Sequence, residues 1–439
     1  MSSIRNFIPG SLRERRLLIL VCVGILIRIL IMPFFSHVDL FSEFRRVVYS
    51  LNNDIFFPQQ NRLVTYYIEY GFLAVLSPFL KDPNIVFFLE DVSKTTSNMA
   101  DYFIFINHPS VFRHLFIFKL SYLICDVLTM WVIWLFFDDK KRACIAVLFW
   151  VFNPITLYAS YFFGRYETIP LLFMALTALL LKKKQPLAAA FCLSLAINGR
   201  EIYVVTAPIF LLALYNEKEK WRQNVKTILL TGSVLFASVV LPILLERYFH
   251  LSPAFAQGSV YQDSKANVLY GMSFKWLYPL VFAYFFTLLA LQTQAFISYE
   301  YKFIVGSGVV LACYFLIATH SAHYVAWLPL FPVLLLNYVK DPRKLGFAIF
   351  AFFMTWFAYR LFKGDINLFT LFLAAPFNFE MTFFPSLSKV YTQLVGETGS
   401  IFGPSKMLNV LHNMYAAALV FLVYRMVQSG RPLNNETVE

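Results

Sequence analysis

Apolar runs of roughly 18 to 22 residues alternate along the chain with short polar loops, which is the length that a helix needs to cross a bilayer core. A lipid-facing open sheet would leave backbone groups unpaired, so only helices fit this pattern. The pattern predicts an all-α, polytopic transmembrane bundle of about 10–13 helices. The predicted helices lie roughly at 17–35, 115–137, 143–162, 168–181, 186–199, 202–215, 227–245, 276–291, 303–319, 324–339, 345–362 and 406–426.

Two long segments interrupt this alternation, and we expect both on the outer side of the membrane. Residues 36–114 contain two weakly amphipathic stretches, around 40–51 and 64–80, which predict interfacial helices lying on the bilayer. Residues 363–405 contain several prolines and predict loop and short helix over the outer face. The chain has no internal repeat or low-complexity region, so residues 1–439 form a single predicted domain.

Composition excludes a soluble protein. Hydrophobic residues make up 59% of the chain and charged residues only 14%, whereas a soluble domain carries about 25% charged residues. Mean hydropathy is +0.63. The net charge of +12 comes from small clusters between helices, so we expect membrane lipids around the protein and no nucleic-acid partner. The five cysteines lie within apolar runs and include no CxxC pair, which indicates small buried side chains.

The basic clusters predict the orientation of the chain. The positive-inside rule places loops rich in Lys and Arg in the cytoplasm, together with both termini. These loops contain Arg13, Arg15, Arg16, Lys140 to Arg142, Lys182 to Lys184, Glu217 to Lys226 and Lys340 to Lys344.

Four polar strings then fall at the opposite, outer ends of the apolar runs. They are His37 to Glu43, Gly164 to Glu167, Asn198 to Glu201 and His320 to Tyr324. Because charges inside an apolar sequence are expensive, they persist mainly where they line a cavity or a site. The sequence therefore predicts one polar working face.

Each candidate has a structural alternative. Asp39 is placed to take a proton from an acceptor hydroxyl, or to cap the following helix. Arg165 and Glu167 are placed to recognise phosphate, or to keep a short loop in water. His320 and His323 fit a phosphate site, a weakly supported metal site, or an ordinary interfacial position.

Three charges lie deeper within apolar runs. Arg28 and Asp126 predict an ion pair between helices, because either charge would be costly alone. Lys119, nearer the outer end of its helix, could reach the polar face.

The order of these features resembles the polyprenyl-phosphate-sugar-dependent glycosyltransferases of the GT-C superfamily. The resemblance is closest to the mannosyltransferases of glycosylphosphatidylinositol anchors and their bacterial relatives. It rests on an acidic motif after the first helix, on Phe152-Asn153-Pro154-Ile155 before Gly164-Arg165-Tyr166-Glu167, and on His323-Tyr324 with Trp327. The bacterial families often carry Tyr-Pro-Pro in the first outer loop, where this chain has Asn61-Arg62-Leu63-Val64.

The resemblance implies transfer of a hexose from a polyprenyl-phosphate donor to a lipid-linked or glycan-linked acceptor by inverting single displacement. It implies Asp39 as the catalytic base and Glu43 as the second catalytic candidate, with no cofactor or metal. The implied substrate-binding residues are Arg165, Glu167, Arg200, Glu201, His320, His323 and Tyr324.

Two further expectations follow from the sequence. A transporter or flippase of lipid-linked sugars is the alternative function, although the chain shows no paired halves with matching broken helices. The only Asn-x-Ser/Thr acceptor is Asn435-Glu436-Thr437, in the predicted cytoplasmic tail, which favours a plasma (inner) membrane over the endoplasmic reticulum.

Overall fold

The structure is a computed structural model. It describes residues 12–53, 62–80, 102, 105–216, 219–248, 281, 284–285, 287–288, 298–317, 322–363 and 404–428. Within these ranges the chain is helical and contains no β-strand, which confirms the all-α class.

The longer helices are α1 (Leu12–Ile31), α2 (Val38–Asn53), α3 (Leu63–Leu76), α4 (Val111–Phe136), α5 (Lys140–Val151), α6 (Thr168–Lys182), α7 (Pro186–Gly199), α8 (Ala207–Ala213), α9 (Trp221–Tyr248), α10 (Tyr299–Ile317), α11 (Leu330–Leu335), α12 (Pro342–Lys363) and α13 (Pro404–Gln428). Short helical turns lie at Ser77–Phe79, Pro154–Thr156, Leu157–Phe162, Glu201–Thr206 and Ala322–Trp327.

Five helical segments of the described chain are long and apolar enough to cross a membrane. They are Val111–Phe136, Lys140–Phe162, Trp221–Leu245, Tyr299–Leu316 and Met407–Gln428. The segments in α4 and α10 are mostly buried by protein, whereas only 11% of the apolar window in α9 is buried. Exposed side chains such as Leu229 and Phe236 of α9 suit a hydrocarbon environment.

Two of the predicted helices are interrupted at polar residues. The helix expected at 202–215 begins with the 3₁₀ turn Glu201–Thr206 before α8, and the helix expected at 324–339 begins with the 3₁₀ turn Ala322–Trp327 before α11. Most of the helix expected at 276–291 and of the outer segment 363–405 lies outside the described residues.

The two expected interfacial helices are α2 and α3, but α2 differs from an interfacial helix. Its apolar side chains Leu40, Phe41, Phe44, Val47 and Val48 are all buried. Because protein already covers this apolar face, α2 cannot use it to lie on lipid. The helix α3 packs against α2, α4 and α7.

The predicted Arg28–Asp126 ion pair is confirmed. The Arg28 Nε atom lies 2.7 Å from Asp126 Oδ2, and both side chains are fully buried. Asp126 also accepts hydrogen bonds from the Trp150 indole (2.7 Å) and the Tyr161 hydroxyl (2.8 Å). Arg28 donates to the carbonyl of Val151 at 2.7 Å. The pair therefore joins α1, α4 and the segment Lys140–Phe162 with most of its hydrogen-bonding capacity used.

Basic residues of the predicted cytoplasmic loops meet at one end of the helices. Arg142 donates to the carbonyls of Leu336, Asn337 and Val339, which follow α11. Lys182 lies 2.7 Å from Asp138, beside the C-terminus of α4. Cations are favourable beside the exposed carbonyls of helix C-termini. The acidic and arginine-rich strings lie at the other ends of the same helices.

Candidate functional site

The first candidate carboxylate, Asp39, lies in the first turn of α2. The backbone N–H of Asp39 donates to Nδ1 of His37 at 3.2 Å, and the His37 ring stacks on Phe163 at 3.9 Å. His37 therefore caps this N–H, and the alternative in which Asp39 serves as the cap is not observed. The Asp39 side chain is 37% exposed and lies 3.6 Å from Arg165.

The turn at Gly164 brings Arg165 against α2. Gly164 has φ of +81°, a conformation that residues with a Cβ rarely adopt. A Cβ at this position would lie 2.8 Å from Leu40, so α2 approaches the glycine closely. The Arg165 N–H donates to the carbonyl of Ala159 at 2.8 Å, closing the turn. The buried Arg165 side chain then lies between Asp39 and Glu43, 3.7 Å from the latter.

Glu43, one helical turn after Asp39, is held by arginines. Its two oxygens lie 3.1 Å from Arg46 and 3.0 Å from Arg62. Burial alone would raise the pKa of the Glu43 carboxyl, but the guanidinium groups of Arg46, Arg62, Arg165 and Arg200 lower it below its ordinary value. An ionised carboxylate with a lowered pKa is a poor proton acceptor, which argues against Glu43 as a base.

Three guanidinium groups surround the fully buried ring of Tyr166. The Cζ atoms of Arg62, Arg165 and Arg200 lie 5.2, 5.0 and 5.5 Å from its centroid. The negative face of an aromatic ring attracts cations at this range, more strongly when water is excluded. The Tyr166 ring therefore attracts all three guanidinium groups, which partly offsets the repulsion between them.

Arg200 links this ring to a second cluster. It donates to the Tyr166 hydroxyl at 2.7 Å and lies 3.7 Å from Glu167 Oε1. Its Cζ lies 4.9 Å from the Tyr324 ring and 5.2 Å from the Trp327 ring, and these two rings stack on each other. The Trp327 indole donates to the other oxygen of Glu167. Burial alone would lower the pKa of Arg200, but Tyr166 and Glu167 raise it, so the guanidinium stays charged.

The interpretation that these charges keep the turns in water is wrong. Arg165, Glu167 and Arg200 are all buried, with Glu167 fully so. Buried charges of this kind are retained where they pair or bind something.

The arginines still have hydrogen-bond donors to offer. Within the described part of the chain, the Nε atoms of Arg165 and Arg200 are buried without a hydrogen-bond partner. Their distances to Asp39, Glu43 and Glu167, 3.6 to 3.7 Å, fit ion pairs but exceed hydrogen-bond length. The carboxylates thus balance the charges without occupying all of the N–H groups.

Of the remaining predicted site residues, the structure describes the side chains of Glu201 and Tyr324 but not those of His320 and His323. Glu201 begins the turn Glu201–Thr206, and its Oε2 atom is buried. Tyr324 is partly buried against Arg200. The backbone of His323 lies in the turn Ala322–Trp327, but its side chain falls outside the described residues, as does all of His320.

The structure adds residues that were not among the predicted site residues. Arg62, Tyr166 and Trp327 belong to the cluster, and Glu69 of α3 is a buried carboxyl that accepts a hydrogen bond from Tyr122 at 2.6 Å. Arg62 lies within the string where the chain departs from Tyr-Pro-Pro, and a charge there is the signal that could have indicated it.

Asn198, two residues before Arg200, contacts the helix α9. Its side-chain amide donates to the carbonyl of Ser238 at 3.0 Å. In a regular helix that carbonyl would accept from the N–H of residue 242, but Pro242 has none. Asn198 therefore satisfies a carbonyl of α9 that the proline leaves open.

Among the described residues, no three His, Cys, Asp or Glu side chains are grouped so as to hold a metal ion. The chain matches no protein-family model and no curated protein sequence. Fold and site together define an all-helical protein with helices fit to span a membrane and, at one end of them, a buried cluster of arginines, carboxylates and aromatic rings.

Proposed function

We propose that the protein is a membrane glycosyltransferase. It transfers mannose or a related hexose from a polyprenyl-phosphate donor to a hydroxyl of a lipid-linked or glycan-linked acceptor. The reaction takes place on the non-cytoplasmic face of a plasma (inner) membrane, with both termini in the cytoplasm. The observation that carries the proposal is the partly exposed carboxylate of Asp39 beside buried arginines whose N–H donors are not all used.

The chemistry needs one base and one anion site. Asp39 takes the proton of the acceptor hydroxyl, and the acceptor oxygen forms a bond to the anomeric carbon of the sugar. The bond from that carbon to the phosphate oxygen breaks, and the phosphate leaves with the electron pair. Arg165 and Arg200 offset the negative charge that develops on the phosphate, in a site where burial strengthens the interaction.

The surrounding residues orient these groups. Glu43 fixes Arg62 and Arg165, while Glu167 fixes Arg200 and the Trp327 indole. Because the guanidinium groups are already ordered against carboxylates and rings, little conformational freedom is lost when phosphate binds.

The test is transfer of labelled hexose from a polyprenyl-phosphate donor by protein purified into lipid nanodiscs, across a panel of sugars. The Asp39→Asn variant should reduce kcat by about 10²- to 10⁴-fold, because the general base is lost. Asp138→Asn, an acidic residue at the opposite end of the helices that pairs with Lys182, is the matched control and should retain activity.

Three results would contradict parts of the proposal. Full transfer by Asp39→Asn refutes the base, and retained anomeric configuration in the product refutes single displacement. Counterflow of lipid-linked sugar in proteoliposomes without covalent transfer would establish a transporter or flippase instead.

A further inference from the structure

Lys119 of α4 is a fully buried lysine whose side chain contacts two segments that lead into the candidate site. Its Nζ atom donates to the backbone carbonyl of Phe35, between α1 and α2, and to the backbone carbonyl of Tyr161 at 2.7 Å. No carboxylate of the described chain forms an ion pair with it. Two backbone segments that are distant in sequence thus share one Nζ donor.

The position of these carbonyls along the chain is informative. Phe35 precedes Asp39 by four residues, and Tyr161 precedes Arg165 by four residues. The lysine therefore joins the two backbone segments that lead to Asp39, the proposed base, and to Arg165, the proposed phosphate-binding residue. The side chains of these two residues lie 3.6 Å apart.

Local contacts transmit this arrangement to the site. The Phe35 and Phe162 rings lie 4.5 Å apart, and the His37 and Phe163 rings stack at 3.9 Å. The segments on either side of Lys119 are therefore in continuous contact from the carbonyl pair to the turn at Gly164. Tyr161 also binds Asp126 through its hydroxyl, which holds its side chain in the Arg28–Asp126 network.

We propose that Lys119 is a positioning residue that sets the separation of Asp39 and Arg165 by holding their two backbone segments together. The activity measurement for this proposal rests on the proposed function. It touches neither the sugar nor the phosphate. A donor–acceptor reaction is sensitive to such a separation, because a displacement of about 1 Å in a reacting group can cost about 10²-fold in rate.

The chain offers a matched control in Lys182. Its ammonium group also donates to a backbone carbonyl, that of Phe136 at the C-terminus of α4, but at the opposite end of the helices. Lys119→Met and Lys182→Met both remove an Nζ donor to backbone carbonyl groups and keep an unbranched apolar stem; Lys182→Met also removes the ion pair with Asp138. Lys119→Arg keeps a cation able to donate to two carbonyls.

The experiment compares kcat, donor KM and backbone hydrogen exchange in the three variants and the parent, counted per folded molecule. We expect Lys119→Met to lower kcat about 10²-fold with little change in donor KM, Lys119→Arg to recover part of the loss, and Lys182→Met to keep the parent kcat. The amides of Asp39 and Arg165, bonded to His37 and Ala159, should exchange faster in Lys119→Met only.

A parental kcat in Lys119→Met, or an equal loss in Lys182→Met, would overturn the inference. So would unchanged exchange of the two amides. If the parent protein transfers no sugar at all, the proposed function fails, and hydrogen exchange at Asp39 and Arg165 alone decides whether Lys119 positions the two segments.

Discussion

Replacement of Arg200 by methionine tests the arginine cluster most directly. Methionine keeps an unbranched apolar stem but removes the charge that lies against Glu167, Tyr166, Tyr324 and Trp327. Glu167 is fully buried and, among the described residues, would keep only the hydrogen bond from Trp327. Breaking a buried pair by removing one partner typically costs about 3–5 kcal/mol of folding free energy.

The loss in activity has a separate origin. Removing one preorganised donor from a developing oxyanion costs about 10²- to 10³-fold in kcat. We therefore expect Arg200→Met to lose both stability and turnover per folded molecule. Arg200→Lys keeps the charge but loses the planar guanidinium with its paired N–H donors, so its kcat should lie between those of the parent and of Arg200→Met.

The assay measures thermal unfolding and hexose transfer on the same nanodisc samples. Arg142→Met is the control, because Arg142 donates to three carbonyls at the opposite end of the helices. It should lose stability without loss of kcat. The double variant Arg200→Met with Glu167→Gln should be more stable than Arg200→Met alone, because no unpaired buried carboxylate remains. An Arg200→Met protein with parental unfolding temperature and kcat would refute this reasoning.

Three further predictions concern other parts of the structure. Asp126→Leu should cost about 3–5 kcal/mol in equilibrium unfolding by leaving Arg28 buried without its carboxylate, and adding Arg28→Met should recover part of the loss. Burial raises the pKa of the Glu69 carboxyl on α3, a helix too short to span a bilayer, so the stability contribution of this group falls as pH rises above its ordinary pKa. Glu69→Gln should therefore raise the unfolding temperature at pH 8 and leave it unchanged at pH 4, and a gain only at pH 4 would contradict the sign. Gly164→Ala should lower the free energy of unfolding by about 1–2 kcal/mol from its positive φ alone, and should lower kcat by displacing the turn. Adding Leu40→Ala to this variant should remove the clash between Leu40 and the new Cβ but leave the cost of the positive φ.

Sequence reasoning succeeded where one strong energetic rule applies. Arg28 and Asp126 could be paired from sequence because an isolated charge in an apolar run is costly and the chain offers few partners. The joining of Asp39 with Arg165 follows from a different rule, because helices that alternate in direction bring their polar ends to the same side.

Other features depend on tertiary packing. The sequence allowed Lys119 to reach the polar face but did not indicate its partners, because they are two backbone carbonyls and a carbonyl carries no signal in sequence. Glu69 is a single carboxyl in an apolar run, and only the packing of α3 against α4 brings Tyr122 to it. The breaks at Glu201–Thr206 and Ala322–Trp327 escaped prediction because hydropathy records length and not the geometry of each helical turn.

The hydrogen bond between Asn198 and Ser238 joins the segment that leads to Arg200 to the helix α9. Within the described chain, only 11% of the apolar window of α9 is buried, so a bilayer around the protein would contact most of this helix. Pro242 leaves a bend point in that helix, and the residue that fills the open carbonyl lies only two positions before Arg200. We expect a change in the tilt of α9 to reach the backbone next to Arg200 through this hydrogen bond. Under the proposed function, we therefore expect hexose transfer to depend on the bilayer thickness of the nanodisc, at a distance from any bound sugar.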